Sequence, residues 1–350
     1  MDVTSLMGHD DTRVSAPKPM THKEADRLDV MLEIVFRYTY DVCHNRNGEL
    51  AWEATKKLYR ELLVVFDRLI LPTHASCHVQ FLLFYITSFH EALVEGFLDY
   101  LWKKLQDPNT QVVFRQAAVA YIASFLARAK HINISTVRVC LDLMVAWAHK
   151  YISEAIYALS THNDMSHHAT FYSVCQAIFY IITFRHKELL GTKEGFKHCQ
   201  RLNLQTIVTA RLNPLRMCLP IIAKTFASIT RMHQLAFCDT ILERNKRTMF
   251  PTSTDGAGVS ANNPLDAFFP FDPFLLNRSG SYVVPLYREY DGVLVQATQD
   301  DSNSEDDDDL YTEGVSGSHH KTPEMSPYTK AFSPAMDLFM YGTSPGFKNI

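Results

Sequence analysis

From Lys23 to about Thr248 the apolar residues recur at helical spacing almost without interruption. Glycine is sparse there, and no hairpin turn sits between alternating runs. That pattern constrains the fold more than any other feature, because a 3.6-residue period cannot be laid into a sheet without turning the apolar face outward. Leu50, Ala54, Leu58, Leu62, Val65, Phe66 and Leu69 form one stripe, and Val137, Cys140, Leu141, Met144, Trp147, Ala148 and Tyr151 form another. Each predicts an amphipathic helix of four to six turns. The breaks are short. Asn45–Gly48 (NRNG), Leu71-Pro72-Thr73 and Asp107-Pro108 end helices, and Ser135 reads as the N-cap of the helix that follows. Asn213-Pro214 opens a late helix, and the longest internal break is the polar stretch Ser160–Thr170. The expectation is an all-α chain of helix pairs.

One pair is more specific. In LWKKLQDPNTQVVFRQAAVAYIASFL (Leu101–Leu126) an apolar helix ends at Asp107-Pro108, and Arg115, Ala117 and Ala118 open the next. This resembles a HEAT repeat, in which the aspartate and arginine line a ladder between units and the alanines allow close helix approach. A stack of such pairs is a HEAT-like solenoid, which needs no sequence identity between its units.

The longest apolar runs, Phe81–Phe89 and Ala177–Phe184, are well short of the roughly 18–20 residues of a membrane span, so they read as buried core helices. The start, MDVTSLMGHDD, has acids and no long apolar stretch, unlike a secretory signal. Seven cysteines at 43, 77, 140, 175, 199, 218 and 238 include no CxxC pair. They read as small hydrophobes in apolar helices of a reducing compartment. The net charge of −4 divides unevenly. Asp300–Asp309 holds seven acids and no base; without it 34 bases face 31 acids. Phe97–Lys150 carries an excess of four bases and Arg185–Arg247 of eight, the latter ending in ERNKR (Glu243–Arg247). A basic body with an acidic tail implies acidic partners or phosphates.

After the helices the composition changes. The boundaries read as a disordered leader at 1–20, a helical repeat domain at 21–250, a linker at 251–262, an aromatic strap at 263–292 and a disordered tail at 293–350. The strap begins NPLDAFFPFDPFLL, with four phenylalanines and three prolines in fourteen residues. Pro264, Pro270 and Pro273 deny it a helix or a central strand. In the tail, Ser302 and Ser304 each precede an acid by three residues, and Thr322, Ser326, Ser333 and Ser344 each precede proline. These are candidate phosphorylation sites, each adding about two negative charges.

No catalytic constellation stands. His90-Glu91 begins an HExxH pattern, but Val94 occupies the last position. There is no GxSxG, Walker A or GxGxxG string. His162, His167 and His168 cluster without a cysteine or carboxylate at ligand spacing, so no metal site and no cofactor is assigned. Lys103, Lys104, Arg115, Arg128 and Lys130 make one helix pair basic. They fit phosphate or an acidic protein as well as a solvated face with internal ladder contacts. Without a base-reading motif, any DNA contact would be with the backbone and sequence-independent.

NPLDAFFPFDPFLLNRS (Asn263–Ser279) with VPLYREY (Val284–Tyr290) closely resembles the C-terminal signature of the TIF-IA family, the RNA polymerase I-specific transcription initiation factors. LPTHASCHVQFLLFY (Leu71–Tyr85), LWKKLQDP (Leu101–Pro108), RQAAVAYIASFLARAK (Arg115–Lys130), FRHKEL (Phe184–Leu189), NPLRMCLP (Asn213–Pro220) and ILERNKR (Ile241–Arg247) resemble it too, so the likeness runs from about Asp26 to Tyr290. It implies a nonenzymatic HEAT-repeat adaptor of the nucleus and nucleolus that joins RNA polymerase I to the promoter-bound core factor. It implies core-factor contact at Leu126, Ala127, Arg128, Ala129 and Lys130, DNA contact within Phe97–Arg115 (hence Lys103, Lys104 and Arg115), and a phosphorylated tail. Family members carry a further helical half before the matched part, so the chain reads as a fragment or a shortened paralogue, with apolar surface exposed at its N-terminal end. The competing readings are a generic HEAT scaffold and a metal enzyme built on the histidine loop.

The strap has two readings. Phe268, Phe269, Phe271 and Phe274 cover the open side of the last helices, or they dock a partner.

Overall fold

The computed structural model describes residues 22–73, 75–157, 165–248, 265 and 269–290. The described residues are helical, joined by turns. The helices are α1 (Lys23–Cys43), α2 (Trp52–Val65), α3 (Phe81–Thr87), α4 (Glu91–Gln106), α5 (Val112–Arg128), α6 (Ile134–Tyr157), α7 (Met165–Leu190), α8 (Lys193–Arg201), α9 (Leu204–Val208), α10 (Pro214–Met217), α11 (Pro220–Met232), α12 (Asp239–Thr248) and α13 (Gly280–Val283). Successive helices pack in pairs, α1 on α2 and α4 on α5, and α7 is shared by α5, α6, α8, α10 and α11. The centre of both apolar runs is buried: Ile178 to Ile182 in α7 are fully covered, as are Phe84 and Ile86 in α3. No helix among the described residues is long and apolar enough to cross a membrane.

The turns follow local chemistry. At NRNG the Asn45 side chain accepts from the amides of Asn47 and Glu49, both at 3.0 Å, and Gly48 takes φ +78°. A left-handed residue there favours glycine. His90, first residue of the broken HExxH pattern, caps α4 instead, its Nδ1 accepting from the Ala92 amide at 3.1 Å.

Several expectations need correcting. Asn133, not Ser135, caps α6: its Oδ1 accepts from the Thr136 amide at 2.8 Å and from the Ser135 hydroxyl at 2.5 Å. Asn133 wins because its carboxamide stands one residue ahead of the helix. The α2 stripe ends early. A single π-helical turn, Phe66–Ile70, follows α2 and shifts the register. Phe66 and Ile70 turn inward, while Val65 and Leu69 are exposed. Cys77, Cys218 and Cys238 lie in connections, not helices; Cys218 and Cys238 are buried all the same. Asn213-Pro214 opens only the single turn α10, and Pro220 starts the longer α11. The polar break after α6 is shorter than expected, because α7 begins at Met165.

Candidate interaction surfaces

The strap re-enters the body instead of covering its last helices. Phe269 stacks on Tyr180 of α7, with centroids 4.0 Å apart and planes at 10°. Phe271 is fully buried among Phe81 and Phe84 of α3 and Tyr121 and Phe125 of α5, all with centroids 5.1–5.6 Å away. Phe274, half-buried, lies edge-on to Phe36 of α1 and Phe81. Phe268 lies outside the described residues. The expected crossing of the last helices is thus replaced by contacts with α1, α3, α5 and α7. The broad aromatic floor is at these helices, where rings can meet at favourable edge-to-face angles.

A proline-dotted segment outside helix and strand leaves backbone groups unpaired, and the body satisfies several of them. Ser124 Oγ accepts from the Phe271 amide at 2.8 Å, and Gln80 Nε2 donates to the Pro270 carbonyl at 2.5 Å. At the far end the fully buried Asp29 of α1 accepts from the Arg278 and Ser279 amides, both at 2.8 Å, and from the Ser279 hydroxyl at 2.6 Å. Asp29→Ala leaves the buried Ser279 amide and the part-buried Arg278 amide without an acceptor and should cost about 2–3 kcal/mol. Urea unfolding measures it; an unchanged midpoint would show that water replaces the carboxylate.

The tightest clasp is at the end of α5. Arg128 Nη2 meets Asp272 Oδ1 at 3.1 Å, and its guanidinium lies over Phe184 at 4.4 Å and Tyr287 at 5.3 Å. Tyr180 donates a second hydrogen bond to the same carboxylate oxygen at 3.3 Å, while Asp272 Oδ2 has no partner among the described residues. Burial pushes the Asp272 carboxyl up to about 6, against the pull of Arg128 and Tyr180. Backbone bonds lock the same place: Arg288 N donates to the Arg128 carbonyl at 2.6 Å and Lys130 N to the Leu286 carbonyl at 2.9 Å. From behind, the buried Arg185 of α7 donates to the Leu126 carbonyl at 2.8 Å and to that of Ile132 at 3.2 Å.

This geometry changes the reading of Leu126–Lys130. Leu126, Ala127, Arg128 and Ala129 are buried, and only Lys130 reaches solvent. Direct contact with a partner by the first four is excluded in this conformation; they hold the strap. Every residue from Tyr121 to Ala129 is buried. That was legible, since a segment apolar on all sides is a central helix, not a surface one.

The basic residues also acquire internal partners. Lys104 sits 2.7 Å from Asp67 and over the Tyr100 ring, and with the Tyr100 hydroxyl it holds the Asp67 carboxyl below its ordinary value. Lys103, well exposed, pairs with Asp99 at 2.6 Å. Arg115 Nε donates to the Leu105 carbonyl at 2.8 Å, joining α5 to α4. Asp107 serves its own turn, accepting from the Asn109 amide at 2.9 Å and the Thr110 hydroxyl at 2.8 Å. The expected aspartate–arginine ladder between repeats is therefore not formed here: Arg115 bonds a backbone carbonyl and Asp107 its own turn. Lys130 and Lys103 remain the outward cations of this region. Further on, Arg244, Lys246 and Arg247 of α12 are exposed, while Asn245 is buried against Asn213.

Of the histidines, His162 lies outside the described residues and His167 is exposed at the start of α7. His168 is buried, its Nδ1 2.8 Å from the Tyr151 hydroxyl. No group of three or more His, Cys, Asp or Glu residues able to hold a metal occurs among the described residues. The tail residues Ser302, Ser304, Thr322, Ser326, Ser333 and Ser344 lie outside the described residues. On α1, Met31, Ile34 and Tyr38 recur on one face and are more than half exposed.

The family model described as "RNA polymerase I specific transcription initiation factor RRN3" matches residues 3–294. The chain belongs to this family. The match takes in the helices and the strap together. Among curated relatives, the mouse RNA polymerase I-specific transcription initiation factor RRN3 is 44% identical over 351 residues, covering 94% of this chain and 53% of the relative. The Schizosaccharomyces pombe rrn3 factor is 29% identical over 296 residues, covering 82% of this chain and 47% of that protein. A crystal structure of RNA polymerase I transcription initiation factor Rrn3 superposes with a TM-score of 0.67 at 23% identity, over 76% of this chain and 55% of that one. It shares the fold. The chain spans about half the length of the curated RRN3 relatives it matches.

Proposed function

We propose that the chain acts in initiation by RNA polymerase I, as a nonenzymatic adaptor between the polymerase and promoter-bound core-factor subunits. One observation carries this reading: the 44% identity to the mouse factor extends over 94% of the chain. The work is done by surfaces, in the nucleus and its nucleolus. Lys130 stands beside the buried strap clasp and is the core-factor contact of its segment. Lys103, Lys104 and Arg115 form the DNA-facing edge, with Lys103 the freest to exchange its carboxylate for a phosphate. Phosphorylation at Ser302, Ser304, Thr322, Ser326, Ser333 or Ser344 adds charge to the tail and weakens attraction to acidic partners.

The test is affinity purification of the chain from nuclear extract, probed for RNA polymerase I and core-factor subunits. Recovery of both supports bridging by this chain. Core factor alone restricts it to one contact, and neither overturns the adaptor reading. A second prediction concerns charge. Lys103→Glu with Lys130→Glu should leave the fold intact, since both side chains are exposed. It should weaken binding to any duplex about equally. The slope of log affinity against log salt should fall by about one for each phosphate that the variant no longer neutralises. An unchanged slope removes DNA from these residues.

A further inference from the structure

A trough of about 460 Å³ separates α4 from α6. Its lining is largely apolar: Leu98 and Trp102 from α4, Ile122 from α5, and Val139, Leu143 and Met144 from α6. Val139 and Leu143 line the trough and are 58% and 44% exposed, so their area is not covered by this chain's described residues. Along one wall stand Glu91, Glu95 and Asp99, one per helical turn. The facing wall offers Ser135 and Thr136, without charge. Asp99 is neutralised by Lys103 at 2.6 Å, and Glu91 accepts from Asn133. The net charge of the lining is thus negative within a body that is otherwise basic.

From these observations we infer that the α4–α6 trough docks an amphipathic helix of a protein partner, apolar on the buried side and carrying lysine or arginine along the edge that meets Glu91 and Glu95. The length fits: Glu91 to Trp102 spans roughly 16 Å of helix, enough for apolar side chains at i, i+4 and i+7 of the occupant. The charge decides the class. An acidic wall repels phosphates, so the trough itself suits a basic peptide and not a phosphate backbone; Lys103 lies outside its lining. The apolar floor supplies affinity and the glutamates set orientation and partner choice. This surface is separate from the strap clasp, and it stands whether or not the adaptor reading does.

The test pans a displayed library of amphipathic helices against the full chain, with apolar positions held at i, i+3, i+4 and i+7 and Lys, Arg, Glu and Gln varied elsewhere. Recovered peptides should be enriched in Lys and Arg along one edge. Their binding, followed by fluorescence anisotropy, should weaken at least about tenfold on Leu143→Glu or Val139→Asp. On Glu95→Lys the preference should turn toward acidic peptides. All three positions are exposed, and thermal unfolding of each variant checks that the fold is kept. Recovery of no peptide, recovery without a basic bias, or binding that survives Leu143→Glu and Val139→Asp would overturn the proposal.

Discussion

Phe271→Ala should destabilise the whole helical body, by about 3–5 kcal/mol. The ring is fully buried and touches four aromatic rings of α3 and α5, which belong to different helix pairs. Its removal leaves a cavity that these rings cannot close, because Phe84 is also packed against Phe81 and Phe125, and Tyr121 against Phe66. At about 2–4 °C per kcal/mol for a domain of this size, the midpoint should fall by roughly 10 °C. Phe237→Ala is the control. That ring is 60% exposed, and its loss should stay within about 0.5 kcal/mol. If the two variants melt alike, the strap is a dispensable attachment and its burial here is not what stabilises the helices. If Phe271→Ala alone melts early, the strap is part of the core. Its loss would then abolish any partner binding indirectly, so a binding defect in such a variant says nothing about direct contact.

The second large effect is at the buried ion pair. Arg128→Met should cost about 3–5 kcal/mol, since it strands the Asp272 carboxylate and removes the guanidinium from Phe184 and Tyr287. Adding Asp272→Leu should recover most of that loss, because two apolar side chains need no compensating charge. Denaturant unfolding of wild type, the two single variants and the double variant gives the coupling directly, and a double variant no better than Arg128→Met would reject the account. The pair also carries a pH signature. The folded Asp272 holds its proton up to about 6, above the ordinary 3.8. The protonated carboxyl therefore favours the folded state. Its contribution is full below about pH 4 and is lost as pH rises through about 6. The stability of wild type relative to Asp272→Asn should accordingly fall from pH 4 to about pH 6.5 and then stay level. A relative stability that rises over that window would mean the ion pair outweighs burial.

Arg128 also shows where sequence reasoning stops. In a linear reading it is one of five bases on a helix pair, next to a string that resembles a partner-contact motif. In the fold its charge is spent on Asp272, 144 positions away. Nothing near Arg128 in the chain announces that partner. The same holds for Asp29 and Ser279, 250 positions apart, and for Ser124 and Phe271, 147 apart. Gln80, Ser124 and Asp29 were not singled out at all, because a lone polar residue on a helix carries no local signature of the backbone it will satisfy.

What the sequence determined by itself was whatever depends on neighbours within a few residues. The helical period of the stripes, the turn at Asn45–Gly48 and the inability of the proline-dotted strap to form a helix are such properties. The family was legible for a related reason: strings such as NPLDAFFPFDPFLLNRS are long and compositionally rare, and the similarity to RRN3 factors bears the resemblance out. Tertiary structure alone decided which face of each element is covered, and by what. It carried the strap back across α1, α3, α5 and α7, turned Leu126–Ala129 from a candidate surface into the strap's anchor, and left the α4–α6 trough open. The physical reason is range. Propensity and periodicity act over one or two turns of helix, whereas burial and ion pairing depend on segments that only the folded chain brings within a few ångströms.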